Sequence, residues 1–230
     1  FKSSEYVQVP WKDDTTSGIK PETVEFRFRS PKSKDQVILN QGTNWGVLLK
    51  DNGATDDYGY LEFAISGSSV ETISSSLLPF YNDDMWSVML TRKLATGVDL
   101  TADTTSQNIK YELTTKQYDA SREVVLFASS QSLTTNTAAT NAKFVADGTL
   151  NIGGSGTGFY TTKLSGSLME FRLWSEPLSQ SVFENHVLAP KSYNGNTTES
   201  FYDNLVHRLQ LNDNITLDAT SSFADNSFSQ

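Results

Sequence analysis

Between Asp51 and Tyr60 the chain reads Asp-Asn-Gly-Ala-Thr-Asp-Asp-Tyr-Gly-Tyr, and a second acidic turn follows at Asn82-Asp83-Asp84. Calcium takes about six to eight oxygens from carboxylates, amides and carbonyls. Asp51, Asn52, Asp56 and Asp57 offer such oxygens within one loop, so Asp51, Asp56 and Asp57 are candidate calcium ligands. Tyr58 and Tyr60 are two positions apart, which puts both rings on one side of an extended chain. An aromatic face beside a few polar side chains is what a sugar site requires. Asp56, Asp57, Tyr58 and Tyr60 are therefore the candidate ligand contacts. Acidic loops also serve simply as turns, and outward tyrosines can simply be covered by a neighbouring subunit.

Catalytic chemistry finds less support. Glycoside hydrolysis needs two carboxylates flanking the bond. The glucanase pattern Glu-x-Asp-x-x-Glu is absent, and Glu170 and Glu176 are separated by six positions, with Pro177 after the second. Glu170 is expected to be a surface partner of an arginine. His186 and His207 have no Ser or Asp at triad spacing, so both are expected to pack or to face solvent. The absence of cysteine removes thiol catalysis, Cys-ligated zinc and disulfides. The expectation is a non-enzymatic protein with no organic cofactor, calcium being the only ion its loops suggest.

Charge narrows the partners. The formal net charge is −9 and the isoelectric point about 4.7. Nucleic-acid binding needs clustered Lys and Arg to displace counterions, and the nearest thing to a basic cluster is the short Lys32–Lys34 loop. Neither nucleic acid nor an anionic membrane surface is an expected partner. No apolar run approaches the roughly 18 residues of a membrane span.

The elements that must position these residues are strands. Val24, Phe26 and Phe28 alternate with Glu25, Arg27 and Arg29. Trp45, Val47 and Leu49 share one face, as do Leu61, Phe63 and Ile65, then Trp86, Val88 and Leu90, then Ile109, Tyr111 and Leu113. Met169, Phe171 and Leu173 oppose Glu170 and Arg172. "EVVLFAS" is apolar on both faces and reads as a central strand. Gly- and Asp-rich turns separate the runs. Many strands with almost no helix predict an antiparallel β-sandwich. One short helix is expected after Pro177, capped by Ser179. Trp45 and Trp86 belong to core faces, and Trp174 is expected to stay partly exposed. Residues 1–190 read as one domain. Residues 191–230 read as a polar connector with one strand at 205–211, leading to a further domain or a neighbouring subunit; the whole reads as a piece of a longer chain.

"LSGSLMEFRLWSEPLSQSVFENHV" (Leu164–Val187) resembles the closing segment of laminin-G-like, concanavalin-A-like jelly rolls. In those folds a Gly-Ser turn leads to a last strand, an aromatic residue, a Pro-Leu-Ser step and a short helix. "EYVQVP", "PETVEFRFRS", "DDMWSVMLTRK" and "LNIGG" are similar to other family segments in the family's order, with Ser87 where His is usual. The resemblance implies a jelly roll whose last strand pairs with Thr23–Phe28, placing Glu25 and Arg27 near Arg172 and Glu170 on the outer face. It implies that the helix covers an open end of the sandwich with Val182 and Phe183. It also puts the family's calcium-binding Asp at Asn44, a weaker ligand. "SYNGNTTESFYDNLVHRLQL" resembles connectors after lectin-like domains in structural proteins of tailed bacteriophages. The function this implies is a structural and binding domain of a virion protein, assembling with other subunits and copies of itself and touching host-surface glycan. The alternatives are a secreted or cell-surface carbohydrate-binding adhesion module and, third, a glycoside hydrolase or lyase.

Overall fold

The computed structural model describes residues 6–11, 21–31, 34–54, 57–95, 108–154, 158–159, 161–198 and 203–211. In chain order the strands begin with β1 (Val7–Trp11), β2 (Thr23–Arg29), β3 (Gln36–Gln41), β4 (Trp45–Asp51), β5 (Gly59–Ile65) and β6 (Glu71–Ser74). They continue with β7 (Trp86–Leu94), β8 (Ile109–Asp119), β9 (Val124–Thr135), β10 (Gly148–Ile152), β11 (Ser167–Trp174) and β12 (Leu205–Leu209). Helix α1 (Ala138–Val145) lies between β9 and β10, and α2 (Gln180–Leu188) between β11 and β12.

Two antiparallel six-stranded sheets face each other, ordered β1-β10-β3-β4-β5-β6 and β12-β11-β2-β7-β8-β9. The late strand β10 separates β1 from β3, and β2 lies between β11 and β7, so distant segments close both layers. The expected alternation is realised on the inner faces. Phe26, Phe28, Phe171 and Leu173 are each at most 1% exposed, between the sheets. Trp45, Val47, Leu49, Leu61, Phe63 and Ile65 face them from the other layer, all buried.

One strand departs from strict alternation. In β11 the pairs Met169–Arg27 and Arg172–Glu25 bracket a bulge in which Glu170 and Phe171 together oppose Phe26. Glu170 takes φ 51°, a left-handed conformation that costs a non-glycine residue about 1 kcal/mol or more. Its N–H donates to the Gln210 carbonyl at 3.0 Å. Leu168 thus joins Phe171 and Leu173 in the core, while Met169 stands outside with Glu170 and Arg172. The expectation that Met169 faces inward is corrected by this extra residue.

The helices also divide the work differently from expectation. The end of the sandwich is plugged by α1, which the sequence reading did not foresee. Its Phe144 packs against Trp11, Trp45, Phe63 and Tyr111, with ring centroids 5.2–6.2 Å apart. The helix α2 lies instead on the outer face of the second sheet. There Phe183 and Val187 bury against Met89, Trp174 and Leu178, so Trp174 is fully buried rather than partly exposed. The Thr23 hydroxyl fixes the approach to α2, donating to the Glu176 carbonyl at 2.7 Å and accepting from the Leu178 N–H at 2.9 Å. Ser179 caps the helix by accepting from the Val182 N–H.

Strand β9 is an edge, not a central strand. Its apolar start, Val124, Val125 and Leu126, is exposed by 39–44%. Its far half leans on the other sheet, where the Ser76 N–H donates to Ser129 Oγ at 3.0 Å. The strand expected at 205–211 forms as β12, paired antiparallel with β11 of the same chain; residues 212–230 lie outside the described residues.

Two core phenols make stability depend on alkaline pH. Tyr111 donates to Asn141 Oδ1 at 3.2 Å, and burial pushes its pKa up to about 12. Tyr81 donates to the Lys34 carbonyl at 2.8 Å, and burial, followed by the charges of Asp51 and Asp35, pushes its pKa up as well. A raised tyrosine pKa means that the fold favours the neutral form. The contribution is complete below the unfolded value of about 10 and is lost as pH rises above it. Urea midpoints should stay level up to about pH 10 and fall beyond it, with Tyr111→Phe falling less steeply; identical slopes for the two proteins would contradict this.

Candidate functional site

The sequence candidates gather where β4 hands over to β5. Asp51 pairs with Gly59 and Lys50 with Tyr60. The side chains of Asp51 and Asn52 are used by the loop itself, accepting from the N–H groups of Gly53 at 3.1 Å and Ala54 at 2.9 Å. Asp35 Oδ1 accepts from the Asp51 N–H at 2.9 Å, anchoring the hairpin to the chain before β3. Beneath it lies Tyr81, whose N–H donates to the Asp57 carbonyl at 3.1 Å. Only glycine fits at 59, since a Cβ there would stand 2.7 Å from the Tyr81 ring and 2.5 Å from the Lys50 carbonyl oxygen.

Asp56 lies outside the described residues. Asn44 sits in the β3–β4 turn, at the opposite end of β4 from Asp51. A strand of that length spans about 20 Å, so Asn44 cannot share an ion with Asp51 or Asp57. Among the described residues no group of three carboxylate or histidine side chains converges as a metal site.

What the hairpin does present is an aromatic and polar patch. Tyr58 is 39% exposed, and Tyr60 is half-buried on the outer face of the first sheet. Beside Tyr60, Lys50 Nζ lies 3.4 Å from Glu62, and Ser74 Oγ donates to the same carboxylate at 3.3 Å. Phenol faces can stack on the apolar side of a pyranose, while the amine and carboxylate can reach its hydroxyls. Tyr81 and the Asp35–Asp51 contact hold the hairpin from below.

A second constellation escaped the sequence reading. Under α2, the Glu25 carboxylate accepts from Trp174 Nε1 at 3.1 Å and from His186 Nδ1 at 2.9 Å, with Arg172 at 3.7 Å. His186 Nε2 lies 2.9 Å from the Asn194 carbonyl. A carbonyl only accepts, so both ring nitrogens face acceptors. Arg172 also holds Glu170 at 2.9 Å and donates to the Pro190 carbonyl. Arg208 reaches Glu170 from β12 at 3.2 Å. The cross-strand pairing of Glu25 with Arg172 follows from the strand order the sequence suggested. Burial of the network does not: Glu25, Glu170, Arg172 and His186 are all buried, and Glu170 is not the surface residue expected. The available signal was Trp174 next to the helix, an aromatic residue on a face that alternation assigns to solvent.

No family model and no curated protein matches the sequence. Solved structures similar in fold include a candidate carbohydrate-binding protein of Bacteroides ovatus, at 15% identity and TM-score 0.52, over 90% of this chain and 50% of that one. The enzymatically active domain of tailspike protein 2 of bacteriophage CBA120 is similar at 9% identity and TM-score 0.57, over 90% of this chain and 28% of that one. A heptameric SAP-like pentraxin of Limulus polyphemus follows at 14% identity and TM-score 0.51, over 91% and 86%. The chain spans half or less of the bacterial and phage proteins. These likenesses agree with an antiparallel β-sandwich of the jelly-roll kind.

Proposed function

We propose that this chain is a non-enzymatic carbohydrate-binding domain of a larger virion or cell-surface protein, and that Tyr58 and Tyr60 form its sugar-contacting face. The observation that carries this reading is the exposed Tyr58 with the half-buried Tyr60 beside the Lys50–Glu62 ion pair, on a hairpin braced from beneath. It is supported by the company of the fold, which includes a candidate carbohydrate-binding protein and a phage tailspike. Neither a cofactor nor a bond-breaking step belongs to it. A glycan array identifies what is retained, and Tyr58→Ala and Tyr60→Ala should each weaken retention about tenfold. Melting temperatures should barely move for the exposed Tyr58 and fall only slightly for the half-buried Tyr60. Unchanged retention by both variants, or release of reducing ends from a polysaccharide, would refute the reading.

An assembly role is favoured separately by β9. From Val124 to Thr135 this edge contains no ionisable residue, no proline and no glycine. Natural edges are normally blunted by charge or proline. Copies of a chain with net charge −9 meet with least repulsion along such a stretch, so its occupant is a second copy of this chain. Val125→Lys should then shift the protein to a smaller species in sedimentation.

A further inference from the structure

Arg27 stands on the outer face of β2, between Met169 of β11 and Ser87 of β7. Its guanidinium forms no hydrogen bond or ion pair among the described residues, and its Nε is buried without a partner. Burial and the neighbouring charge of Arg172 lower its pKa, against the pull of Glu170. A cation in that state favours any oxyanion that can reach it.

There is room for one. Arg27 lines an open groove of about 540 Å³ between the end of α2 and the β11–β12 edge. Met169 and Pro190 form apolar wall, and Ala189, Lys191 and Gln210 complete the lining. Glu170 also borders the groove, but its carboxylate is already held by Arg172 and Arg208. Glu25 is likewise held by Arg172 and His186. The groove's own lining carries Arg27 and Lys191 against Glu170. This is a positive concavity on a chain whose net charge is −9. Its volume falls within the roughly 300–1,000 Å³ of small-molecule sites.

We infer that this groove binds an acidic sugar residue. The carboxylate is received by Arg27 with Lys191 at the rim, and the ring lies against Met169 and Pro190. The choice of sugar rests on the carbohydrate-binding reading; the choice of an oxyanion does not. The groove lies on the second sheet and the tyrosine patch on the first, so the two can fail separately.

The test is an NMR titration of the whole chain at low salt with glucuronate, glucose and acetate. Glucuronate should shift the amides of Met169 and Lys191 and saturate in the millimolar range, with glucose and acetate at least about tenfold weaker. Arg27→Gln should weaken glucuronate about tenfold or more, and Arg27→Lys less. Tyr58→Ala should leave it unchanged. If Arg27→Gln fails to fold, Lys191→Gln serves in its place and should weaken binding severalfold. Absence of binding at tens of millimolar, or equal binding by the glutamine variant, overturns the site. Equal affinity for acetate overturns the sugar while keeping the oxyanion, and loss of binding in Tyr58→Ala moves the ligand to the other sheet.

Discussion

Glu25→Gln is expected to destabilise the protein by about 3–5 kcal/mol, the usual cost of removing one partner from a buried ion pair. The side chain is 3% exposed and serves Arg172, His186 and the Trp174 indole at once. Glutamine keeps the shape and leaves the buried Arg172 guanidinium and the His186 ring facing a neutral amide. The loss should centre on α2, because His186 lies on that helix and stacks on Trp174 with ring centroids 6.1 Å apart. Urea denaturation gives the magnitude, and hydrogen exchange shows whether α2 opens before the sheets. By contrast, Lys116→Ala, which breaks the 2.6 Å contact with the half-exposed Glu184, should be almost neutral. A loss below about 1 kcal/mol for Glu25→Gln would mean that apolar packing alone holds the helix.

Phe144→Ala should cost a similar amount, about 3–5 kcal/mol for a large buried aromatic. Phe144 is the plug of the sandwich end, touching rings from β1, β4, β5 and β8. The buried Arg92 guanidinium also lies 5.9 Å from its ring centroid, so truncation removes the face over which that cation sits. The ring, rather than the helix itself, is what matters. The N-cap Thr137 makes no side-chain capping bond, so Thr137→Ala should change the calorimetric midpoint little. If the two substitutions proved equally costly, α1 would be held by its own backbone and not by its plug.

These residues mark where the sequence was legible. Alternation identified β2, β4, β5 and β7 because an unbroken inward apolar series marks each of them, with polar or small residues at most of the intervening positions. It failed where that premise failed. The outer face of β11 is covered by α2, so Trp174 and Arg172 are as buried as the inner residues. The apolar run at Val124–Leu126 read as central because apolar residues usually have a neighbour on both sides, yet it lies on an edge. The helix α1 carries Ala138, Ala139 and Ala142, which favour helix, but its Thr and Asn residues mask the pattern. Of the candidate site, Tyr58 and Tyr60 were visible because parity alone points them outward. The groove beside Arg27 was not, because it is assembled from β2, β11 and a segment near Pro190 that are far apart in the chain.

Glu170 can be considered as a guest in its own strand. Without it, Leu168, Met169, Phe171, Arg172 and Leu173 would read as an unbroken in–out series, and Arg27 and Glu25 would keep the same partners with no kink between them. The layer would therefore survive a one-residue deletion at this point, while on its outer side Arg172 and Arg208 would lose the carboxylate that both now hold. The residue the backbone could best spare is the one that sets the electrical character of that side.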